Sequence, residues 1–358
     1  SLLEFNRRVL EQAKNKTVPL LERLRFLSIC STNLDEFFEV RAAGLRQQVK
    51  YDIARPGADG LSPQETLAQI HRIASRIVRE QYRVLNDELL PQLAQEGICV
   101  HSRSAWTEEQ RRWVKQYFRT EVAPVLTPMG LDPSHPFPRV VNKSLNFFVS
   151  LKGKDAFGRD SRLAVVPVPR SLPRLIPFPK ELAEGKFGFA MLSSVIHAHI
   201  DEIFPGMSVT GCFQFRVTRD SDLWVDEEEI EDLMLALKVE LQTRHLGDAV
   251  RLEVADNCEE DLARFLLENF DLESRDCYRV NGPVNLHRLV AIYDKVDRPD
   301  LKYPSFYPGT PKRVSSYPTM FEALRAGDIV LHHPYESFKP VLELARQAAR
   351  DPDVLAIR

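Results

Sequence analysis

The chain has 358 residues, 44% of them hydrophobic and 28% charged, with a formal net charge of -3. The length predicts two or three domains. The balance is that of a soluble globular protein and excludes the whole-chain basic field that draws proteins to nucleic acid or anionic membrane. No stretch approaches 18 uninterrupted apolar residues, so no transmembrane helix is expected. The opening Ser1-Leu2-Leu3-Glu4-Phe5-Asn6-Arg7-Arg8 lacks the basic-then-apolar order of a signal peptide, and without a Met it predicts that residue 1 is not the natural start. Cys30, Cys99, Cys212, Cys258 and Cys277 are odd in number, far apart and form no CxxC pair. They predict a reduced, cytoplasmic protein without a zinc site.

Residues 1 to about 104 read as a helical bundle. Leu20, Leu24, Leu27, Leu34, Phe37, Phe38 and Leu45 recur near helical spacing. Ser62-Pro63-Gln64-Glu65 opens a helix with Ser at the N-cap, Pro at N1 and Glu at N3. Its apolar face carries Leu67, Ile70, Ile73, Ala74, Ile77 and Leu85, and Gly97 is a plausible stop. Thr107-Glu108-Glu109-Gln110 starts another helix by the same capping logic.

From about 105 to 312 the pattern turns α+β. Pro124, Pro128, Pro133, Pro136 and Pro138 break helical texture. Leu145–Leu151, Leu163–Val168 and Val250–Val254 read as strands, and Phe213–Val217 alternates like a half-buried one. A helix is expected from Asp226-Glu227-Glu228-Glu229 to about Arg244 and His245. The Pro/Gly-rich run Tyr303–Pro311 separates a third unit. There Ile329–Leu331, a helix from about Glu336 to Arg350 and Val354–Ile357 predict a βαβ unit. Two strands and a helix do not make a stable domain, so the chain is expected to stop inside one.

The usual phosphate cradles are missing: there is no GxxxxGK[ST] and no strand followed by GxGxxG among the 15 glycines. Neither GxSxG nor HExxH occurs. Three clusters remain as candidates. In Ser31–Phe37, Asn33 either caps a helix with Glu36 completing a capping box, or offers its amide to a ligand such as a base edge or ribose. In Leu331–Tyr335, His332, His333 and Tyr335 follow a strand end, where open α/β sheets gather ligands, or else satisfy only local hydrogen bonds in a proline-led turn. Arg216, Arg219 and Asp220 either grip phosphate or form a solvated, ion-paired strand end.

Several blocks resemble, in order, those of the type 1 polyphosphate kinase family. They are Phe5–Leu10, Arg23–Leu27 running on to Asn33–Arg41, Leu126–Pro128 with Asp132–Pro138, Phe215–Asp220, Val250–Val254, Gly282–Leu286, Asp297–Leu301 and Asp328–Tyr335. The resemblance covers essentially the whole chain. It implies a helical amino-terminal domain over 1–104, an α+β head domain over 105–312, and over 313–358 the start of the first of two catalytic domains of phospholipase-D-like α/β fold. The implied activity is reversible transfer of the ATP terminal phosphate to polyphosphate through a phosphohistidine, with Mg2+. The family's catalytic histidines and metal-contacting arginines lie beyond residue 358, so no residue here is assigned a catalytic or metal role. Its nucleotide-contacting asparagine matches Asn33. The resemblance further implies ATP/ADP and inorganic polyphosphate as partners and a homodimer or larger homo-oligomer through the head domain. A cytoplasmic protein, at most peripheral to the membrane, is expected. The competing expectation, prompted by the missing phosphate motifs, is a non-catalytic scaffold built on the same domains; a phospholipase-D-like hydrolase rests on implied fold alone.

Overall fold

In a computed structural model, the structure describes residues 2–52, 57, 60–132, 134–154, 162–183, 187–221 and 247–356. They fall into two compact units, Ser1–Lys302 and Tyr303–Arg358.

The first unit begins with five helices: α1 (Leu2–Lys14), α2 (Leu20–Glu36), α3 (Ala43–Lys50), α4 (Pro63–Arg83) and α5 (Leu90–Gln95). A π turn at Phe37–Ala42 carries α2 without a break into α3, and Val84–Leu89 does the same between α4 and α5. The start of α4 follows its sequence signal. Ser62 Oγ accepts from the Glu65 backbone N–H at 3.2 Å, and Glu65 Oε2 accepts from the Ser62 N–H at 2.8 Å. After α5, Gly97 takes φ +78°, the left-handed conformation that ends a helix with least cost at glycine.

The remainder of the unit alternates short helices with strands: β1 (Ile98–His101), α6 (Glu108–Tyr117), β2 (Met129–Gly130), β3 (Asn146–Gly153), β4 (Leu163–Pro167), β5 (Leu175–Pro177), β6 (Phe187–Met191), α7 (Leu192–Ala198), β7 (Met207–Arg219), β8 (Ala249–Ala255), α8 (Glu260–Asn269), β9 (Cys277–Val280) and α9 (Val290–Lys295). β1 departs from the all-helical expectation for this stretch. It pairs in parallel with β6 in the three-stranded sheet β1-β6-β5, Ile98 opposite Phe187. A larger sheet runs β2-β4-β3-β7-β8-β9, antiparallel except for β8 beside β9. The helix expected from Asp226 to about Arg244 lies outside the described residues.

Period-two alternation sorts the larger sheet into two faces. Phe147, Val149, Ala164 and Val166 join the core shared with the amino-terminal helices. Phe148, Val165, Phe215, Leu252 and Val254 pack on the other side around Leu266 of α8. The expectation that Phe213–Val217 is half-buried gives way to a strand buried on both faces. Its polar positions turn toward the helices, not toward water.

In the second unit α10 (Lys312–Ser315), α11 (Met320–Ala326) and α12 (Lys339–Arg350) form, the last close to its expected bounds. The two flanking strands do not. Ile329–Leu331 and Val354–Ala356 join no ladder among the described residues, while an isolated bridge connects Gly309 and Glu336. Apolar sequence permits a strand, but a hydrogen-bonding neighbour makes one. Helices and mixed sheets thus share a multidomain chain. No described helix is long and apolar enough to cross a membrane.

Candidate ligand cleft and the buried charges behind it

Asn33 lies within α2. It does not cap a helix: the Phe37 N–H reaches back to its carbonyl and the helix runs on. The polar residues that mimic a cap are accommodated by bonding back one turn, Ser28 Oγ to Leu24 O at 3.0 Å and Thr32 Oγ1 to Ser28 O at 3.2 Å. The capping-box expectation for Asn33 and Glu36 is therefore corrected.

A cleft of about 290 Å3 opens beside Asn33, bordered by Phe5, Glu36, Phe37, Val40 and Arg41. The half-buried Asn33 amide is oriented by α1. Its Nδ2 donates to Asn6 Oδ1 at 3.1 Å, and the buried Asn6 donates in turn to Cys30 O at 3.0 Å. Among the described residues the Asn33 Oδ1 makes no hydrogen bond, so an acceptor and a second amide hydrogen stay available to a ligand. Aromatic and aliphatic walls with a fixed amide suit a flat, polar-edged group.

Two positions along the helix is about 200° around it, so Asp35 points away from the cleft. It is buried, and its carboxylate receives both Nη atoms of Arg216 at 2.9 and 2.8 Å, and Nη2 of Arg251 as well. Arg216 Nε pairs with Glu253, which also lies 3.3 Å from Arg251 Nη2. The sheet register dictates this cluster: Arg216 stands opposite Glu253, and Thr218 opposite Arg251. Thr218 Oγ1 accepts from Arg251 Nη2 at 3.0 Å, and Arg251 lies over the Phe38 ring at 4.6 Å. Burial alone would raise the Asp35 pKa; the charges of Arg216 and then Arg251, with their hydrogen bonds, outweigh it and hold the carboxyl below the usual range. One turn on, Glu39 accepts from Asn142 Nδ2 at 2.6 Å and Lys143 Nζ at 2.8 Å, while its carbonyl accepts the Ser221 N–H at 3.1 Å.

Of the sequence candidates, Arg216 is thus ion-paired and buried, not solvated. Arg219 donates to Val140 O and Gly247 O at 2.9 and 2.8 Å, and burial lowers its pKa. Asp220 accepts from Gln47 Nε2 at 3.2 Å. In the second unit His333 Nδ1 is 2.9 Å from Glu336 O, the His332 N–H donates to Glu336 Oε2 at 2.9 Å, and the Tyr335 ring packs against Phe306 and His332. That is the local turn reading. Asp35, Glu39, Arg251 and Glu253 were missed as a set. Their traces in the sequence are two acids four apart on a helix and charged residues alternating with apolar ones inside strands. Among the described residues no group of three or more His, Cys, Asp or Glu is arranged to hold a metal ion.

A helical layer bolted through buried ion pairs to a mixed sheet, with a ligand-sized cleft on the other side of α2, defines a multidomain chain of helices and mixed sheets. The chain belongs to the polyphosphate kinase family. The family's N-terminal domain matches residues 1–101, its middle domain 109–292 and its C-terminal domain 1 319–358. The polyphosphate kinase of Neisseria meningitidis serogroup A is 54% identical over 358 residues, all of this chain and 52% of that protein. That of Pseudomonas aeruginosa is 52% identical with the same coverage. The crystal structure of polyphosphate kinase from Porphyromonas gingivalis superimposes with a TM-score of 0.76 at 26% identity, covering 99% of this chain and 49% of that one. The chain spans about half the length of the curated relatives it matches.

Proposed function

We propose that this chain works as part of a polyphosphate kinase, which transfers the terminal phosphate of ATP reversibly to a growing polyphosphate chain through a phosphohistidine located beyond residue 358. Family membership along the whole chain supports the reaction. The division into 1–104, 105–312 and 313–358, as helical, head and first catalytic domain, is proposed on the same footing. So are Mg2+, with its ligands beyond residue 358, and a homo-oligomer assembled through the head domain.

The observation that carries the nucleotide part is the Asn33 amide, held by Asn6 at the rim of an aromatic-walled cleft. In this reading Asn33 contacts the nucleotide, and Phe5 and Phe37 offer flat faces to its base. Phosphoryl transfer relies on positioning and charge neutralisation more than on covalent help from many groups, so a helix that only orients the nucleotide is a sufficient role for this part of the protein. The test is made in the full-length protein, by following polyphosphate synthesis from ATP and Mg2+. Asn33→Ala is expected to raise the KM for ATP about tenfold, the size of one lost hydrogen bond in a desolvated site. An unchanged KM removes Asn33 from the nucleotide site, and a full-length protein that makes no polyphosphate removes the reaction itself.

A further inference from the structure

Arg170, Arg174 and Arg288 come near one another in the first unit: Arg170 donates to Asn142 O, Asn285 at the head of the Arg288 turn donates to the next carbonyl, Lys143 O, and Arg174 lies within range of both charges. Arg170 and Arg174 lie in the connection between β4 and β5, and Arg288 in the short turn Leu286–Leu289, which packs against α2. Among the described residues none of the three forms an ion pair. Elsewhere the buried arginines Arg23, Arg216 and Arg251 each meet a carboxylate.

Arg174 is the anomaly. Its Nη2 donates to Val168 O at 3.1 Å, but its Nη1 is buried without a hydrogen-bond partner. Burial lowers its pKa to about 10, and the nearby charges of Arg288 and then Arg170 push the same way. An orphaned guanidinium nitrogen, out of water and repelled by two like charges, is costly unless something fills the gap. The neighbours do not neutralise it. Lys143 is taken up by Glu39. His287 has its pKa lowered by burial, then by Arg288, and meets Thr32 Oγ1 at 3.0 Å. Arg170, exposed, keeps one tie, Nη2 to Asn142 O at 2.5 Å, and the Arg288 side chain is exposed.

We propose that Arg170, Arg174 and Arg288 form a seat for condensed phosphate, and that its occupant is the polyphosphate chain. This rests on the polyphosphate reading above. Guanidinium forks match phosphate oxygens in pairs, and a ligand with one negative charge per phosphate meets several of them at once. The seat adjoins Thr32, the residue before Asn33, through His287. It therefore borders the helix that carries the nucleotide cleft without being part of that cleft.

The test uses the full-length protein with Arg170→Gln, Arg288→Gln and the double variant, both positions being exposed, so that folding is not at stake; Arg174→Gln is added where unfolding curves show it folded. The reverse reaction is followed, ATP formation from ADP and linear polyphosphate, with separate KM values for the two substrates. Each exposed substitution is expected to raise the KM for polyphosphate about tenfold and the double variant more, with the KM for ADP unchanged. A rise confined to the nucleotide KM overturns the polyphosphate assignment and gives the seat to the nucleotide's own phosphates. No change in either KM in the double variant overturns the seat. Calorimetric titration with tripolyphosphate judges the seat even where wild-type protein shows no turnover, so failure of the reaction and failure of the seat are distinguishable.

Discussion

The two sides of α2 are built from opposite economies of charge. On one side Asp35 and Glu39 meet three cations and an amide in a largely buried layer where each polar group answers another. On the other Asn33 is steered by a single bond from α1 and faces a cleft with spare hydrogen-bonding capacity. The comparison teaches that one helix can carry a matched, buried charge cluster on one side and an oriented amide with open bonding capacity on the other.

The hardest blow to this contrast is Asp35→Ala. Removing Asp35 from the buried cluster leaves two guanidiniums sharing Glu253 as their one carboxylate, and a loss of about 3–5 kcal/mol is expected in urea unfolding. A loss under about 1 kcal/mol means the cluster does not hold the helix. The same carboxylate gives the contrast a pH signature. Its pKa is depressed in the folded protein, so the unfolded chain takes up the proton first as pH falls. The stabilisation is complete above about pH 4 and is lost as pH drops through the lower, folded value. The wild type should therefore lose more of its unfolding midpoint between pH 4 and 2 than Asp35→Asn does; parallel curves would deny Asp35 the role.

Glu39→Gln keeps the shape but surrenders the charge opposite Lys143, and about 1–2 kcal/mol is expected by the same unfolding measurement. Ser62→Ala removes the cap of α4 away from both faces and should cost about 1 kcal/mol with KM values unaltered. Asn33→Ala, at the open side, should change stability least, by less than about 1 kcal/mol, while affecting the KM for ATP most. If it destabilised as much as Asp35→Ala, the two sides would not be functionally separate.

Local chemistry was legible in the sequence. The Ser62–Glu65 box, the Thr107 N-cap and the strand at Phe213–Val217 each depend on neighbours within a few residues, and each forms. The Asn33 block misled because the side chains that favour a cap also bond back to the preceding turn inside a helix, and only the continuing π turn decides between the two. Ile329–Leu331 misled because a ladder needs a partner that apolar spacing does not name. The charge cluster stayed hidden for the same reason on a larger scale: Asp35 and Arg251 stand 216 residues apart, and nothing near either announces the other. Asn33, the residue that the family resemblance picks out, borders a cleft, whereas Asn6, which orients its amide, was not singled out.

The span between Asp35 and Arg251 has a consequence for the order of events as the chain is made. At roughly 5–20 residues per second, synthesis reaches Arg251 about 10–40 s after Asp35 has emerged. Through that interval α2 carries an acid whose partners do not yet exist, and burying it alone would cost more than leaving it wet. The first helices therefore wait, loosely formed, for the sheet that arrives after them. β1 reinforces the delay, since its parallel neighbour β6 also lies far downstream. These helices are in this sense made ahead of the sheet and finished only with it.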